Sequence, residues 1–395
     1  MSIILPFLSS ILAAGVIAAI TSFCVSIFIV YSQAWHGKYS LDNDFAGVQK
    51  IHTIAVPRIG GIAMVIGIVV AMCMLFFADP IFKKAVHLEY ISKLLLAGFP
   101  IFLAGTIEDL TKSVSVKIRL GASILSALLA IWLLGAAIGK LDIWGLDTLL
   151  AIESVAVVVT AFVVAGGVNA INIIDGFHGI AASAAIIMLA AMGCIAWQHG
   201  DIFVTQLTVL GAGTALGFLF VNYPTGSLFA GDGGAYLLGF WISEVAVLLL
   251  VRNPVVSAWQ LLAICALPII EVIYSIYRRR IIRKTSPGHA DGLHLHTLIY
   301  RRFICQSISH DHRKPWRRNA SVAFVVAGWI VVMSCAAILF GQTVHGAMAI
   351  VAVQVLLYHV LYARLVQMRR LKSYWREISG LIVSRIQWIA KGESS

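Results

Sequence analysis

The chain has 395 residues, of which 60% are hydrophobic and only 12% are charged. Soluble domains carry about 25% charged residues, so this composition excludes a soluble globular protein and predicts an integral membrane protein. The six cysteines are far apart and form no CxxC pair, so neither a disulfide framework nor a thiolate zinc site is a first interpretation. The formal net charge is +11, and its distribution decides whether it indicates nucleic acid or membrane topology.

Eleven apolar runs, each long enough to span a bilayer, follow one another along the chain. Their centres lie near residues 20, 68, 100, 128, 158, 188, 212, 243, 265, 330 and 352. The runs are uninterrupted, whereas barrel strands alternate at every second residue, so the spans are predicted to be helices. The first run has no basic leader and no clear cleavage site, and it is predicted to be a retained helix. The predicted fold class is an all-α polytopic membrane protein with about 11 transmembrane helices.

The basic residues are distributed unequally between the loops. With the N-terminus outside, 24 of the 29 Lys and Arg residues fall on the cytoplasmic side, mainly in a loop over 275–318 and in a tail. The positive-inside rule therefore favours a periplasmic N-terminus and a cytoplasmic C-terminus. This topology accounts for most of the net charge, so we expect a lipid bilayer and no nucleic acid as a partner. The predicted domains are a transmembrane domain over 1–362, including that loop, and a basic tail over 363–395 that lies on anionic headgroups.

Acids, amides and histidines gather at the predicted cytoplasmic ends of the spans. Glu108 and Asp109 are followed by Lys112 one helical turn later. Such carboxylates can hold Mg²⁺ or a proton, and the ammonium can bind phosphate. A solvated helix end is the alternative interpretation of this cluster taken alone.

Two further segments carry polar groups in a regular pattern. Asn169, Asn172 and Asp175 recur every three residues and share one helix face, which is more than a cap requires. Asp232 stands among three glycines directly before the eighth span. Glycines let backbone amides approach a phosphate, and the helix start is positive. An aspartate there would repel a bare phosphate unless a cation such as Mg²⁺ or Mn²⁺ bridges them. The alternative interpretations are helix capping for the first segment and a simple turn for the second.

His294 and His296, with Asp291 upstream, raise the question of zinc. Their spacing differs from that of a helical zinc motif, and neighbouring arginines favour a phosphate clamp instead. Together the loops predict a cytoplasmic, Mg²⁺-dependent polyphosphate site at the bilayer surface, where a soluble nucleotide could meet a lipid-borne phosphate. The lack of a P-loop argues against an ATP-hydrolysing pump. The alternative is a polytopic secondary transporter, in which an intramembrane acid such as Glu244 would carry protons or ions.

Five segments between Lys50 and Arg302 resemble, in order, the motifs of one enzyme family. They are Val56–Gly61, Glu108–Lys112, Asn169–Gly176, Phe229–Gly234 and Ser286–His296. The family is the polyprenyl-phosphate N-acetylhexosamine-1-phosphate transferases, in glycosyltransferase family 4. The resemblance is closer to the undecaprenyl-phosphate N-acetylglucosamine-1-phosphate transferase branch than to the muramoyl-pentapeptide branch, whose three consecutive histidines are missing.

The resemblance implies transfer of a sugar 1-phosphate from a UDP-N-acetylhexosamine to undecaprenyl phosphate, with release of UMP. The product would start O-antigen or related glycan synthesis at the cytoplasmic face of a bacterial inner membrane. The oligomeric state stays open, with a homodimer as one option, and direct attack by the lipid phosphate is favoured over a covalent aspartyl intermediate.

The resemblance also assigns roles to residues of this chain. Asp109, Glu108 and Lys112 would be catalytic, with the two acids deprotonating or orienting the lipid phosphate, and Asp232 and Asn172 would hold Mg²⁺ or Mn²⁺. The expected substrate-binding residues are Lys50, Lys117, Asn169, Asp175, His178, Asp291, His294 and His296. The chain departs from the family pattern at Glu108, His178, Gly292 and Thr297, which stand where an aspartate, a second acid, an arginine and a last histidine are common. These positions lie near the sugar and phosphates, so the aminosugar stays open.

Overall fold

The computed structural model describes residues 4–42, 55–78, 88–284, 292–308 and 315–367. Two short antiparallel strands, β1 (Leu41–Asp42) and β2 (Val56–Pro57), are its extended elements. The α-helices of these ranges are α1 (Ile4–Tyr31), α2 (Gln33–Ser40), α3 (Gly60–Ala78), α4 (Leu88–Thr111), α5 (Val116–Leu134), α6 (Leu146–Leu150), α7 (Glu153–Ile174), α8 (Ile180–Gln198), α9 (Ile202–Asn222), α10 (Gly231–Arg252), α11 (Ala258–Tyr277), α12 (Leu295–Leu298), α13 (Pro315–Phe340) and α14 (Val344–Gln367). π-helical turns follow α11 at Arg278–Ile282 and α12 at Ile299–Ile308.

Eleven helices within the described ranges are long and apolar enough to cross a membrane. They are α1, α3, α4, α5, α7, α8, α9, α10, α11 with its π-helical turn, α13 and α14. Each of the eleven predicted apolar runs is one of these helices, so the predicted all-α polytopic fold class is confirmed. The assignment of one face to the cytoplasm stays a prediction.

Helix α10 is the most buried of these spans, and it packs against α3, α4, α7 and α8. Glycines allow its first turn to approach α3 and α4 closely. A Cβ on Gly61 would lie 2.5 Å from the Gly234 nitrogen, and one on Gly105 would lie 2.6 Å from the Gly233 nitrogen. The ends of α3, α4 and α10 therefore converge at one point of the bundle.

The segment predicted as a loop over 275–318 contains more helix than the sequence indicated. The ninth span continues to Ile282, and residues 295–308 form α12 and the second π-helical segment. Lys50, Asp291 and most of the predicted basic tail, residues 368–395, lie outside the described residues.

Candidate active site

Five polar side chains meet where the helix ends converge. Arg58 lies two residues before α3, Asp109 lies in the last turn of α4, and Arg119 lies in the first turn of α5. Asn172 lies in the last turn of α7, and Asp232 in the first turn of α10. Consecutive spans alternate in direction, so these starts and ends all lie at one end of the bundle.

Asp109 is buried, with 3% of its surface exposed, and it caps α10. Its carboxylate accepts the backbone N–H groups of Asp232 at 2.8 Å and Gly233 at 2.9 Å. Acceptors at a helix start satisfy donors that have no partner within the helix. The sequence interpretation, in which these amides face a phosphate, therefore differs from the structure, where Asp109 occupies them.

Asp232 interacts with two arginines and an asparagine of the site. Its side chain is 15% exposed and forms a hydrogen-bonded ion pair with Arg119. Arg58 Nη2 lies 3.6 Å from Oδ1, and Asn172 Nδ2 donates to the same oxygen at 3.3 Å. The structure thus brings together Asp232 and Asn172, the two residues expected to hold a metal.

Arg58 lies among three carboxylates. It is 3.4 Å from Asp109, 3.6 Å from Asp232 and 3.6 Å from Asp42, and Lys112 Nζ lies 3.4 Å from Asp42 as well. Burial alone would lower the pKa of Arg58, but the carboxylates outweigh it and raise the pKa above its ordinary value. Arg58 therefore keeps its positive charge at the centre of the site.

The predicted catalytic residues Glu108 and Lys112 lie at the edge of this cluster. Glu108 Oε2 accepts the backbone N–H of Val114 at 2.7 Å, so it holds the turn between α4 and α5. Lys112 adopts a left-handed backbone conformation in that turn, with φ of 53°, and its side chain is 48% exposed. Lys117 is exposed on the first turn of α5.

The three polar residues at the end of α7 lie in different environments. Asn169 donates to the carbonyl of Ala165 in its own helix at 2.8 Å, whereas Asn172 faces Asp232. Asp175 follows the helix, and burial, together with the negative charge of Asp232, raises its pKa to about 7 against the opposing effect of Arg58. Asp175 thus belongs electrostatically to the cluster around Asp232.

His178 is buried against the segment that precedes α10. Its Nδ1 lies 3.3 Å from the carbonyl oxygen of Pro224, and its ring lies 5.8 Å from that of Phe229. A Cβ on Gly226 would lie 2.3 Å from its Nε2. The residue expected to bind substrate therefore supports the backbone that leads into Asp232.

The two histidines before and within α12 stack on each other, with ring centroids 5.4 Å apart. His294 Nδ1 lies 2.8 Å from Glu271 Oε1, and the ring of His296 meets Phe177 edge-on at 5.7 Å. Burial lowers the pKa of His296 to about 4, although Glu271 acts in the opposite direction. The pair therefore lies beside the backbone that follows Asp175.

Four residues of this arrangement were missing from the predicted site. Arg58 lies within the Val56–Gly61 segment, which is the signal that could identify it, and Arg119 is one of the basic residues that the predicted topology explains. Asp42 and Glu271 carried no signal of their own. No group of three or more His, Cys, Asp and Glu side chains converges as metal ligands within the described ranges.

A family model, glycosyl transferase family 4, matches residues 91–250. Over these residues the chain is similar to glycosyl transferase family 4. The match covers Asp109, Asn172, Asp175 and Asp232 but ends before Glu271 and the histidine pair. The predicted resemblance to this family is thereby confirmed.

Bacterial relatives extend the similarity beyond that match. The chain is 27% identical over 269 residues to the probable undecaprenyl-phosphate N-acetylglucosaminyl 1-phosphate transferase of Bacillus subtilis, covering 66% of this chain and 69% of that protein. It is 28% identical over 277 residues to the undecaprenyl-phosphate alpha-N-acetylglucosaminyl 1-phosphate transferase of Yersinia pestis, covering 65% and 69%. It is 26% identical over 339 residues to the decaprenyl-phosphate N-acetylglucosaminephosphotransferase of Mycolicibacterium smegmatis, covering 78% and 79%.

Proposed function

We propose that this protein transfers N-acetylhexosamine 1-phosphate from a UDP-N-acetylhexosamine to undecaprenyl phosphate and releases UMP. UDP-N-acetylglucosamine or a related aminosugar is the favoured donor, and the lipid-linked product starts O-antigen or related glycan synthesis. The observation that carries the proposal is the cluster at Asp232, where a carboxylate, an amide and two arginines meet at one end of a membrane-spanning bundle. The names of the relatives support the two substrates.

The reaction must bring two anionic phosphates together. An oxygen of the lipid phosphate attacks the β-phosphorus of the donor, the bond from that phosphorus to the bridging oxygen breaks, and UMP leaves with that oxygen. Arg58, Arg119, Lys112 and Lys117 supply positive charge at this end of the bundle. Positioning and charge neutralisation of this kind carry most of the rate in phosphoryl transfer.

The lipid phosphate needs little help from a base. The second pKa of a phosphate monoester is about 6, so the attacking oxygen is already ionised at neutral pH. We therefore assign Asp109 and Glu108 to positioning, through the start of α10 and the turn at Val114. Asp109 is also buried and engaged by two N–H groups, which supports direct attack over a covalent aspartyl intermediate.

The oxygen atoms at Asp232 fit a divalent cation. Mg²⁺ is usually bound by one or two protein carboxylates, with substrate phosphates and water completing its octahedral shell. Asp232 and Asn172 would hold Mg²⁺ or Mn²⁺, and rotation of the Asn172 amide would present its oxygen. A bound ion would supply charge neutralisation for the diphosphate, and Arg58 and Arg119 would bind phosphate oxygens.

The remaining expected residues keep proposed roles around this centre. Lys50 and Asp291, outside the described residues, and Asn169, Asp175, His294 and His296 would contact the nucleotide, sugar or phosphates, and His178 would support the backbone before Asp232. The basic loops support a site at the cytoplasmic face of a bacterial inner membrane, with the N-terminus periplasmic.

The transporter alternative rests on Glu244, whose Oε1 is buried in α10 without a partner among the described residues. A transporter requires polar groups near the midplane of several helices. Here the ion pairs gather at the helix ends, and the family match is to a glycosyl transferase. Proton-coupled uptake by vesicles containing the protein would reverse this preference.

The test is UMP release by the purified protein with undecaprenyl phosphate, Mg²⁺ and, in turn, UDP-N-acetylglucosamine, UDP-N-acetylgalactosamine and 6-deoxy analogues. We expect release to require both the lipid and the metal. Asp232→Asn should abolish it, whereas Asp142→Asn, which changes an acid paired with Lys140 at the other end of the bundle, should not. Full activity of Asp232→Asn at ordinary Mg²⁺ would refute the assignment.

A further inference from the structure

Glu271 joins three separate parts of the chain. It lies in α11 with 2% of its surface exposed. Its Oε1 lies 2.8 Å from His294 Nδ1, and its Oε2 accepts the backbone N–H of Leu295 at 3.0 Å and the hydroxyl of Tyr358 in α14 at 2.8 Å. All three partners thus contact one carboxylate.

The contacts of Glu271 determine which nitrogen of His294 carries the proton. An ionised carboxylate only accepts hydrogen bonds, so the Nδ1 that faces it carries a proton, and a neutral ring in this position has Nε2 as its acceptor. A carboxylate bound to one histidine nitrogen fixes both the tautomer and the orientation of the ring.

His296 connects His294 to the proposed active site. The two rings are nearly parallel, with 9° between their planes. His296 in turn lies so close to the chain after Asp175 that a Cβ on Gly176 would be 2.7 Å from its Nε2. The contacts therefore run without interruption from Glu271 to the backbone beside Asp175.

We propose that Glu271 is a positioning residue for the transfer reaction. It holds His294 in the Nδ1–H tautomer and keeps the stacked histidines against the 175–177 segment, where they face the nucleotide and sugar side of the site. Glu271 does not itself touch the substrates. This inference rests on the proposed function and adds a residue that no motif of the sequence indicated.

Glu271→Gln tests the tautomer directly. The glutamine oxygen can replace Oε2 and accept from both Leu295 and Tyr358, which leaves its NH₂ group facing His294 Nδ1. That donor forces the ring into the opposite tautomer with little change of shape. We expect kcat to fall about 10- to 100-fold, the range typical when the hydrogen-bond partner of a metal-ligating histidine is changed, with the KM for undecaprenyl phosphate nearly unchanged.

Gln354→Leu is the matched control for helix packing. Gln354 is 1% exposed in α14 and donates to the carbonyl of Ala263 in α11 at 2.7 Å. Its loss loosens the same pair of helices without changing a contact of the histidines, so kcat should be retained. The double variant Glu271→Gln/His294→Gln should be no slower than His294→Gln, because the glutamate acts through that ring.

Two results would overturn the proposal: a kcat of Glu271→Gln within about twofold of the wild type, or losses that add in the double variant. Hydrogen exchange over residues 292–298 decides the positioning claim independently of turnover. Glu271→Leu removes all three contacts of this carboxylate and should speed exchange there, whereas unchanged exchange contradicts the positioning claim. If the wild type releases no UMP, the proposed function fails, and the exchange result still decides whether Glu271 holds the histidine segment.

Discussion

Asp109→Asn should destabilise the fold through the start of α10. The carboxylate accepts two backbone N–H groups and lies 3.4 Å from Arg58 Nη2. Asparagine offers one oxygen, so one N–H group stays bonded and the other meets an NH₂ group. A hydrogen bond to a charged group contributes about 1.5–3 kcal/mol, and a buried donor without a partner costs about 1–3 kcal/mol. We expect a loss of about 3 kcal/mol in the free energy of unfolding.

The assay is the thermal unfolding midpoint of purified protein in detergent, followed by tryptophan fluorescence. An unfolding entropy of about 2.1 cal/mol/K per residue over 395 residues converts this loss into a Tm about 4 °C lower. UMP release should fall as well, because the start of α10 carries Asp232.

Asp201→Asn provides the matched control at the opposite end of the bundle. Asp201 caps α9 by accepting the N–H of Val204 at 3.1 Å, and it pairs with Arg252 at 2.7 Å. The Tm of the Asp201→Asn variant should fall by a similar amount, while UMP release is retained. An unchanged Tm for Asp109→Asn, or an equal loss of activity in Asp201→Asn, would refute the reasoning.

Three further changes test other parts of the account. Gly231→Ala should prevent folding to a monodisperse protein, because φ is 72° and the new Cβ would lie 2.1 Å from a backbone oxygen. Gly121→Ala in α5, where a Cβ would have nothing within 4 Å, should be tolerated, and size-exclusion profiles of the two variants test this. Glu108→Gln keeps an acceptor for Val114 and should retain UMP release within about threefold, far from the 10²- to 10⁴-fold loss expected for a general base. His296, with its pKa lowered to about 4, contributes stability that is present above the unfolded pKa of about 6.5 and is lost as pH falls towards 4; the Tm of His296→Gln should fall less steeply over that range than that of the wild type.

The membrane architecture was predictable because long apolar runs have one stable solution in a bilayer. The gathering of Asn172 and Asp232 at one end was predictable for a related reason. Because consecutive spans run in opposite directions, the end of the bundle at which each helix starts or ends follows from its place in the order of the spans.

The roles of the glycines and arginines depend on neighbours that a single sequence does not show. The sequence pattern at Gly233 and Gly234 indicates a phosphate-binding turn, but in the structure these glycines allow α3 and α4 to approach the first turn of α10. Arg119 was counted only as one more basic residue of a cytoplasmic loop, yet it pairs with Asp232, 113 residues away. Glu271 lies 23 residues before His294, within an apolar run, so no local pattern connects them.

The destination of the β-phosphorus of the donor tests the central claim most directly. UDP-N-acetylglucosamine labelled with ³²P at that position is incubated with the protein, undecaprenyl phosphate and Mg²⁺, and the lipid and aqueous phases are separated. The account predicts that label moves into the lipid in equal amount to the UMP released, and that Asp232→Asn moves none. Label remaining in water as UDP while sugar enters the lipid would contradict it, since that result denotes glycosyl transfer without the phosphate.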